Sequence, residues 1–223
     1  MATLKGDLFA GKTLASMKGL IINRTLRLGG LEWRCLAVKS SRVLLITKDI
    51  VEERAYHELL DDITDDFCIT WEGCTLRQYL NGEFLRRFSR QEQAAILETE
   101  LDNDDNPHFG IDGGNATKDK VFLLSLAQVM QYFRTDEDCI ALFNDKEAYW
   151  WLRSPGFLTY NAAIVRDSGF IYSNGAAVNG EGGVRPALWF SLKVAVMPRA
   201  KETTLFDQRA PRLKAEAAAD FSN

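Results

Sequence analysis

Histidine is scarce in this chain: His57 and His108 are the only two. A Ser-His-Asp or Cys-His site would have to use one of them. His57 stands among Arg54, Tyr56 and Glu58 in a segment read as helical, and His108 stands in an Asp- and Asn-rich loop. Neither setting marks a catalytic pair, so the expectation is a protein that is not an enzyme. Cysteine is sparse too. Cys35, Cys68, Cys74 and Cys139 form no C-x-x-C pair, which argues against zinc and redox motifs and for reduced, buried thiols. No apolar run approaches the ~20 residues of a bilayer span, and Lys5 and Lys12 flank no secretory h-region. The expected location is therefore cytoplasmic as synthesised, or phage- or cell-surface-associated without a cleaved signal. There is no basic excess either: the formal net charge is −4, which argues against a general nucleic-acid binder and leaves room only for a local basic patch.

What is present is an ordinary globular composition, with 46% hydrophobic and 26% charged residues over 223 positions, enough to bury a sizeable core. The patterning divides the chain into an N-terminal extension (1–25), one domain (26–192) and a tail (193–223). Leu31, Trp33, Cys35 and Ala37 alternate with Glu32, Arg34 and Leu36 as in a half-buried strand. Ser40-Ser41 interrupts, and Val43-Leu44-Leu45-Ile46 follows as a more buried partner, so the two read as a hairpin. Thr75 before Gln78, Ser89 before Glu92 and Ser125 before Gln128 each read as a capping box opening a helix. The first helix is expected to bury Leu76, Tyr79 and Leu80 and to stop at Gly82, and the second offers Ala95 and Ile96. The third follows a strand, Val121 to Leu124, and is expected to bury Leu126, Val129, Met130 and Phe133. Asp102 to Lys120 reads as a long surface loop.

From Tyr149 the character changes. Tyr149 to Arg153 reads as a strand ending at Ser154-Pro155-Gly156. Ala162–Val165 and Phe170–Ser173 are short strands about an Asp167-Ser168-Gly169 turn, Asn174-Gly175 and Asn179-Gly180 are hairpin signals, and Val184 to Leu192 closes the series. The class is α+β: short antiparallel strands with two or three flanking helices and long loops.

Several motifs dissolve on inspection. Gly6, Gly11, Lys12 and Thr13 satisfy the phosphate-cradling pattern G-x-x-x-x-G-K-T, but no buried strand precedes Gly6, so the match is accidental. Asp102, Asp104 and Asn106 alternate as calcium ligands do, but Pro107 and Gly113 stand where an EF-hand needs Gly and Glu. Neither a metal nor a cofactor is expected. Trp71, Trp151 and Trp189 read as core anchors, whereas Trp150 points to the opposite side of its strand and is a candidate for ligand contact. Arg77, Arg153 and Arg185 sit among apolar residues and read as clamps locking loops to the core.

Two blocks carry a resemblance. Trp71-Glu72-x-Cys74-x-Leu76-Arg77-x-Tyr79-Leu80-Asn81-x-x-Phe84-x-x-x-Phe88 resembles the middle of a bacterial and phage family of domains of unknown function. Trp150 to Gly156, Ala162-Ala163-x-Val165, Gly169 and Gly183-Val184-Arg185-Pro186-Ala187-Leu188 resemble its C-terminal end. That family is related to the C-type-lectin-like fold of formylglycine-generating enzymes. The same fold is the scaffold of variable proteins diversified by retroelements, in which substituted codons lie near the C-terminal end. The resemblance implies a ligand-display protein. Its candidate contact residues are Trp150, Phe157, Leu158, Thr159, Tyr160, Asn161, Ile164, Arg166, Asp167, Ser168, Phe170, Tyr172, Ser173, Asn174, Asn179 and Glu181. Tyr, Ser, Gly and Asn are also what binding loops use on physical grounds; the plainer alternative is that they are turn residues. The implied partner is a protein or a surface glycan. Two other readings stay open: an enzyme related to the formylglycine generators, although the C-terminal region lacks their copper-binding cysteine pair, and an assembly module forming homo-oligomers through the tail after Met197.

Overall fold

The computed structural model describes residues 25–58 and 68–192. The Gly6–Thr13 run that matches the phosphate pattern, residues 59–67 and the tail lie outside the described residues. Those described form a mixed α+β fold, mostly antiparallel, around one continuous hydrophobic core.

The first sheet runs β1 (Thr25–Leu28), β2 (Leu31–Lys39), β3 (Arg42–Thr47), β14 (Ala187–Ser191) and β5 (Ile96–Leu97), in that spatial order. Alternation along β2 buries Trp33 and Cys35; an irregularity between Cys35 and Ala37 then shifts the phase, so that Val38 rather than Ala37 is buried, and the turn at Ser40-Ser41 pairs Lys39 with Arg42. The second sheet runs β12 (Ile171–Ala177), β11 (Asn161–Val165), β10 (Trp150–Pro155), β13 (Glu181–Val184) and β4 (Glu52–Ala55). Only the β10–β13 contact in it is parallel. Two small ribbons, β6 (Thr99–Leu101) with β7 (Thr117–Asp119) and β8 (Leu142–Phe143) with β9 (Lys146–Glu147), complete the strands among the described residues.

The sheets are joined by two neighbouring crossings. β3 leads to β4, and β13 leads through Arg185-Pro186 to β14; the two chains pair in both sheets. The amide of Thr47 donates to the Pro186 carbonyl and that of Val51 to the Val184 carbonyl, so the crossings are also tied to each other. The expected single strand from Val184 to Leu192 is therefore two strands in different sheets. Proline cannot donate a ladder bond, and the bend falls at Pro186.

The helices are short: α1 (Thr75–Asn81), α2 (Arg90–Ala95), α3 (Leu126–Tyr132) and α4 (Asp136–Cys139), with a 3-10 turn over Phe84–Arg87. The boxes Ser89/Glu92 and Ser125/Gln128 are both formed. The Thr75 box is not. Cys74 caps α1 through its sulfur, while the Thr75 hydroxyl accepts from the Glu58 amide. Met130 is 57% exposed, contrary to the expected inward face, and Ile96 belongs to β5. Val121 to Leu124 is buried and extended but makes only one strand-like bridge, Phe122 with Ala187. His57 follows a strand, not a helix.

Candidate functional site

The candidate residues hang on a frame of buried side chains. Arg153 and Arg185 are 5% and 1% exposed, and neither forms an ion pair with a carboxylate among the described residues. Arg185 donates to the carbonyls of Thr47, Lys48 and Cys139. Arg153 donates to the Leu123 and Asp102 carbonyls and to the side-chain oxygens of Asn103 and Gln128. Planar forks read carbonyl dipoles from several segments at once, so each arginine ties loops together. Burial lowers both from the usual arginine range to about 10, which leaves them charged at neutral pH. Trp151 donates to the Arg54 carbonyl and packs edge-on against Tyr56 and Tyr149.

Asp119, fully buried, forms a third knot. It accepts from the Trp71 indole, the Thr117 hydroxyl and the Arg77 guanidinium, the last at 2.7 Å. The Asp102–Lys120 segment is thus no free loop: β7 anchors one end, and Asn106 anchors the middle.

Asn106 is the residue that the sequence reading missed. It is 1% exposed. Its amide nitrogen donates to the carbonyls of Pro155, Gly156 and Ser173, and its side-chain oxygen accepts from the His108 amide. One side chain therefore joins the end of β10, the loop after it and β12. Phe109, carried on this segment, meets Phe157 edge-on with ring centroids 4.9 Å apart. The Asn-Pro pair in an Asp-rich run signals only a turn; the tertiary partners of Asn106 lie 49 to 67 residues away and carry no local pattern.

The proposed contact residues divide by burial. Trp150 and Ile164 are 0% and 7% exposed, so neither can meet a ligand. Trp150 instead donates to the Cys139 carbonyl and stacks against Phe133 and Arg185. The alternation argument correctly put it opposite Trp151, but the second face of that strand is covered as well. Phe157, Arg166, Asp167, Ser168, Phe170, Asn179 and Glu181 are exposed. Leu158, Thr159, Tyr160, Asn161, Tyr172, Ser173 and Asn174 are half-buried.

They also divide by place. Residues 157–161 gather at the start of β11. There the Phe157 amide donates to the Asn174 carbonyl, the Ile69 amide to Thr159 and the Val178 amide to Tyr160. Arg166 to Phe170 forms the turn at the other end of β11, where Arg166 stacks on Tyr172 at 3.9 Å. That turn is braced: a Cβ on Gly169 (φ +84°) would run into the Asp136 carbonyl. The expected turn at Asn174-Gly175 is absent. β12 continues through it as an irregularity in pairing with β11, with Gly175 at φ +73° against the Ala162 carbonyl. The loops thus present two clusters at opposite ends of one hairpin, with Tyr172 on the strand between them.

Among the described residues no group of His, Cys, Asp and Glu is arranged to hold a metal ion. The thiols Cys35, Cys74 and Cys139 are buried, and burial raises them to about 11, 12 and 11. No described helix is long and apolar enough to cross a membrane.

A model of the domain of unknown function DUF6273 matches residues 40–192. The chain belongs to that family. The match covers both sheets except β1 and β2, and includes every residue of the two loop clusters. In DUF6273 terms, the Asn106 clamp, the two buried arginines and the Asp119 knot all fall inside the family domain. Comparison with curated proteins and with solved structures gives no match.

Proposed function

We propose that this DUF6273 chain is a binding module of C-type-lectin-like kind, and that the loop residues around 157–181 form its ligand surface. The observation that carries the reading is a contrast. The backbone of these loops is fixed by Asn106, by Gly169 against α4 and by the ties to Asn174, Thr159 and Tyr160, while the side chains are exposed or, as at Tyr160 and Tyr172, half-buried. Fixed loops with accessible Tyr, Phe and Asn lower the ordering cost of association.

An oxidase of the formylglycine-generating type is supported less well. Copper binding by sulfur needs thiolates, and three of the four thiols sit where burial disfavours them. Retroelement diversification is a separate part of the proposal. It requires a nearby reverse transcriptase and an imperfect repeat of the codons for about Tyr149–Phe190, differing at adenines. The burial pattern adds a sharper requirement: differences at the exposed positions and none at Trp150 or Ile164.

Binding itself is tested by screening the chain against a displayed-peptide library and a glycan array. The expected result is binders that are lost when Tyr160, Tyr172 and Asn174 are replaced by Ala at unchanged thermal midpoint. Binders indifferent to those changes, or no binder in either screen, would contradict the proposal.

A further inference from the structure

We infer that the Phe109–Phe157 end of this surface takes a cationic, arginine- or lysine-bearing segment of a protein partner. The inference rests on the binding reading above and names the partner's chemistry.

Four large apolar side chains are notably exposed among the described residues: Met130, Leu142, Phe157 and Phe170. Phe157 alone of these is shown in ring contact with another aromatic, Phe109, itself half-exposed. His108, exposed, lies 6.2 Å from Phe109 and extends the row of rings. Asn106 fixes both sides of this platform, because the segment that carries Phe109 and the loop that carries Phe157 hang from its one amide. Ring faces attract cations, arginine most readily.

The rim decides the sign of the partner. Residues 91–117 and 154–165 contain neither Lys nor Arg, and Arg153, just before the second stretch, is buried. The segment that carries Phe109 also carries Asp102, Asp104, Asp105 and Asp112, all exposed, and none forms an ion pair among the described residues. Asp104 and Asp102 favour the charge of buried Arg153, against the larger opposing effect of its burial. Asp105 and Asp112 each use one oxygen to accept a loop amide, from Gly113 and Gly114. Glu72 adds a further carboxylate by way of Asn115. Lys118, the next cation along the chain after this segment, is exposed on the β6–β7 ribbon, where it pairs in register with Glu100. Arg166 stands at the far end of β11. An apolar aromatic centre with an acidic rim is complementary to a basic peptide, for which the rim steers and the rings anchor.

The test uses the full chain and three fluorescent dodecapeptides of one design, in which arginine alternates with tyrosine and small residues, with Gln or Glu replacing every Arg in the other two. The Arg peptide is expected to bind at least tenfold more tightly than either. Phe157→Ala should weaken it about tenfold, and the double change Asp105→Asn and Asp112→Asn, which keeps the loop-capping oxygens, about threefold at low salt. Met130→Ala should leave it unchanged. Equal affinity for the Gln peptide with the same dependence on Phe157 overturns the cationic assignment and leaves the binding reading standing. Arg-peptide binding indifferent to Phe157, or no binding of the Arg peptide, overturns the inference; a glycan or neutral peptide lost in Phe157→Ala would then show that the broader reading survives it. Residues 193–223 carry six Lys or Arg against four Asp or Glu. A synthetic peptide of that sequence displacing the Arg probe at lower concentration would assign the surface to the chain's own tail and overturn the partner assignment.

Discussion

The Arg185 guanidinium lies 4.9 Å from the centre of the Trp150 ring, and both side chains donate to one oxygen, the Cys139 carbonyl. Arg185 also holds Thr47 and Lys48, where β3 leaves the first sheet, and Trp150 starts β10 of the second. This pair is therefore the joint between the sheets.

Replacing Arg185 by Met keeps much of the volume and removes three hydrogen bonds to backbone carbonyls, two of them buried. The expected loss is about 3 kcal/mol, read by urea unfolding. A loss below about 1 kcal/mol would mean that packing, not the guanidinium, holds the joint.

Asn106→Asp is nearly isosteric but turns the amide donor toward the Pro155, Gly156 and Ser173 carbonyls into an acceptor. The variant should lose about 2–3 kcal/mol. Hydrogen exchange should rise first at the Phe157 and Phe109 amides. Exchange rising evenly over the whole chain would argue that Asn106 is only one core contact among many.

Much of this frame can be read from sequence, and the part that cannot has a physical reason. Local devices announce themselves: Ser89/Glu92 and Ser125/Gln128 cap helices because the partners stand three residues apart. Alternation finds β2, and apolar neighbours identify Arg77, Arg153 and Arg185 as clamps. Cys74 hides its cap because sulfur is a weak acceptor, and the adjacent Thr75 looks better suited. Gly175 hides its role because Asn-Gly suits a hairpin and an irregular strand alike. Asn106 has no local pattern at all, since its carbonyl partners come from β10, the following loop and β12. Trp150 was misjudged because alternation tells which face a residue takes, not whether that face is covered.

The thiols make a third prediction. Cys35, Cys74 and Cys139 are buried, and Cys68 is only half-buried, though burial raises it as well. At pH 8 a thiol reagent should label one cysteine per folded chain quickly and the other three only on unfolding. Two or more fast thiols, or a copper-protected pair, would reopen the oxidase reading.

Glu92 gives a fourth, with a definite sign. Burial disfavours its charge, but the amides of Gly29 and Ser89 and the Ser89 hydroxyl outweigh that and hold it below the usual 4.5. A depressed carboxylate stabilises the fold above its unfolded value, and that contribution fades as pH falls through the folded value. Glu92→Gln should therefore lower the thermal midpoint at pH 7 and bring the variant and parent curves together as pH drops below about 4.5. Curves that stay parallel would contradict the assignment.

The account depends on a division of labour between a rigid frame and permissive tips. The most direct measurement is the thermal midpoint of a chain with Tyr160, Tyr172, Asn174 and Asn179 all changed to Ala, beside Arg185→Met. The quadruple variant should stay within about 4 °C of the parent, while the single arginine change falls well below it. A quadruple variant that melts lower than Arg185→Met would place those four side chains in the core's service and remove the basis for a display surface.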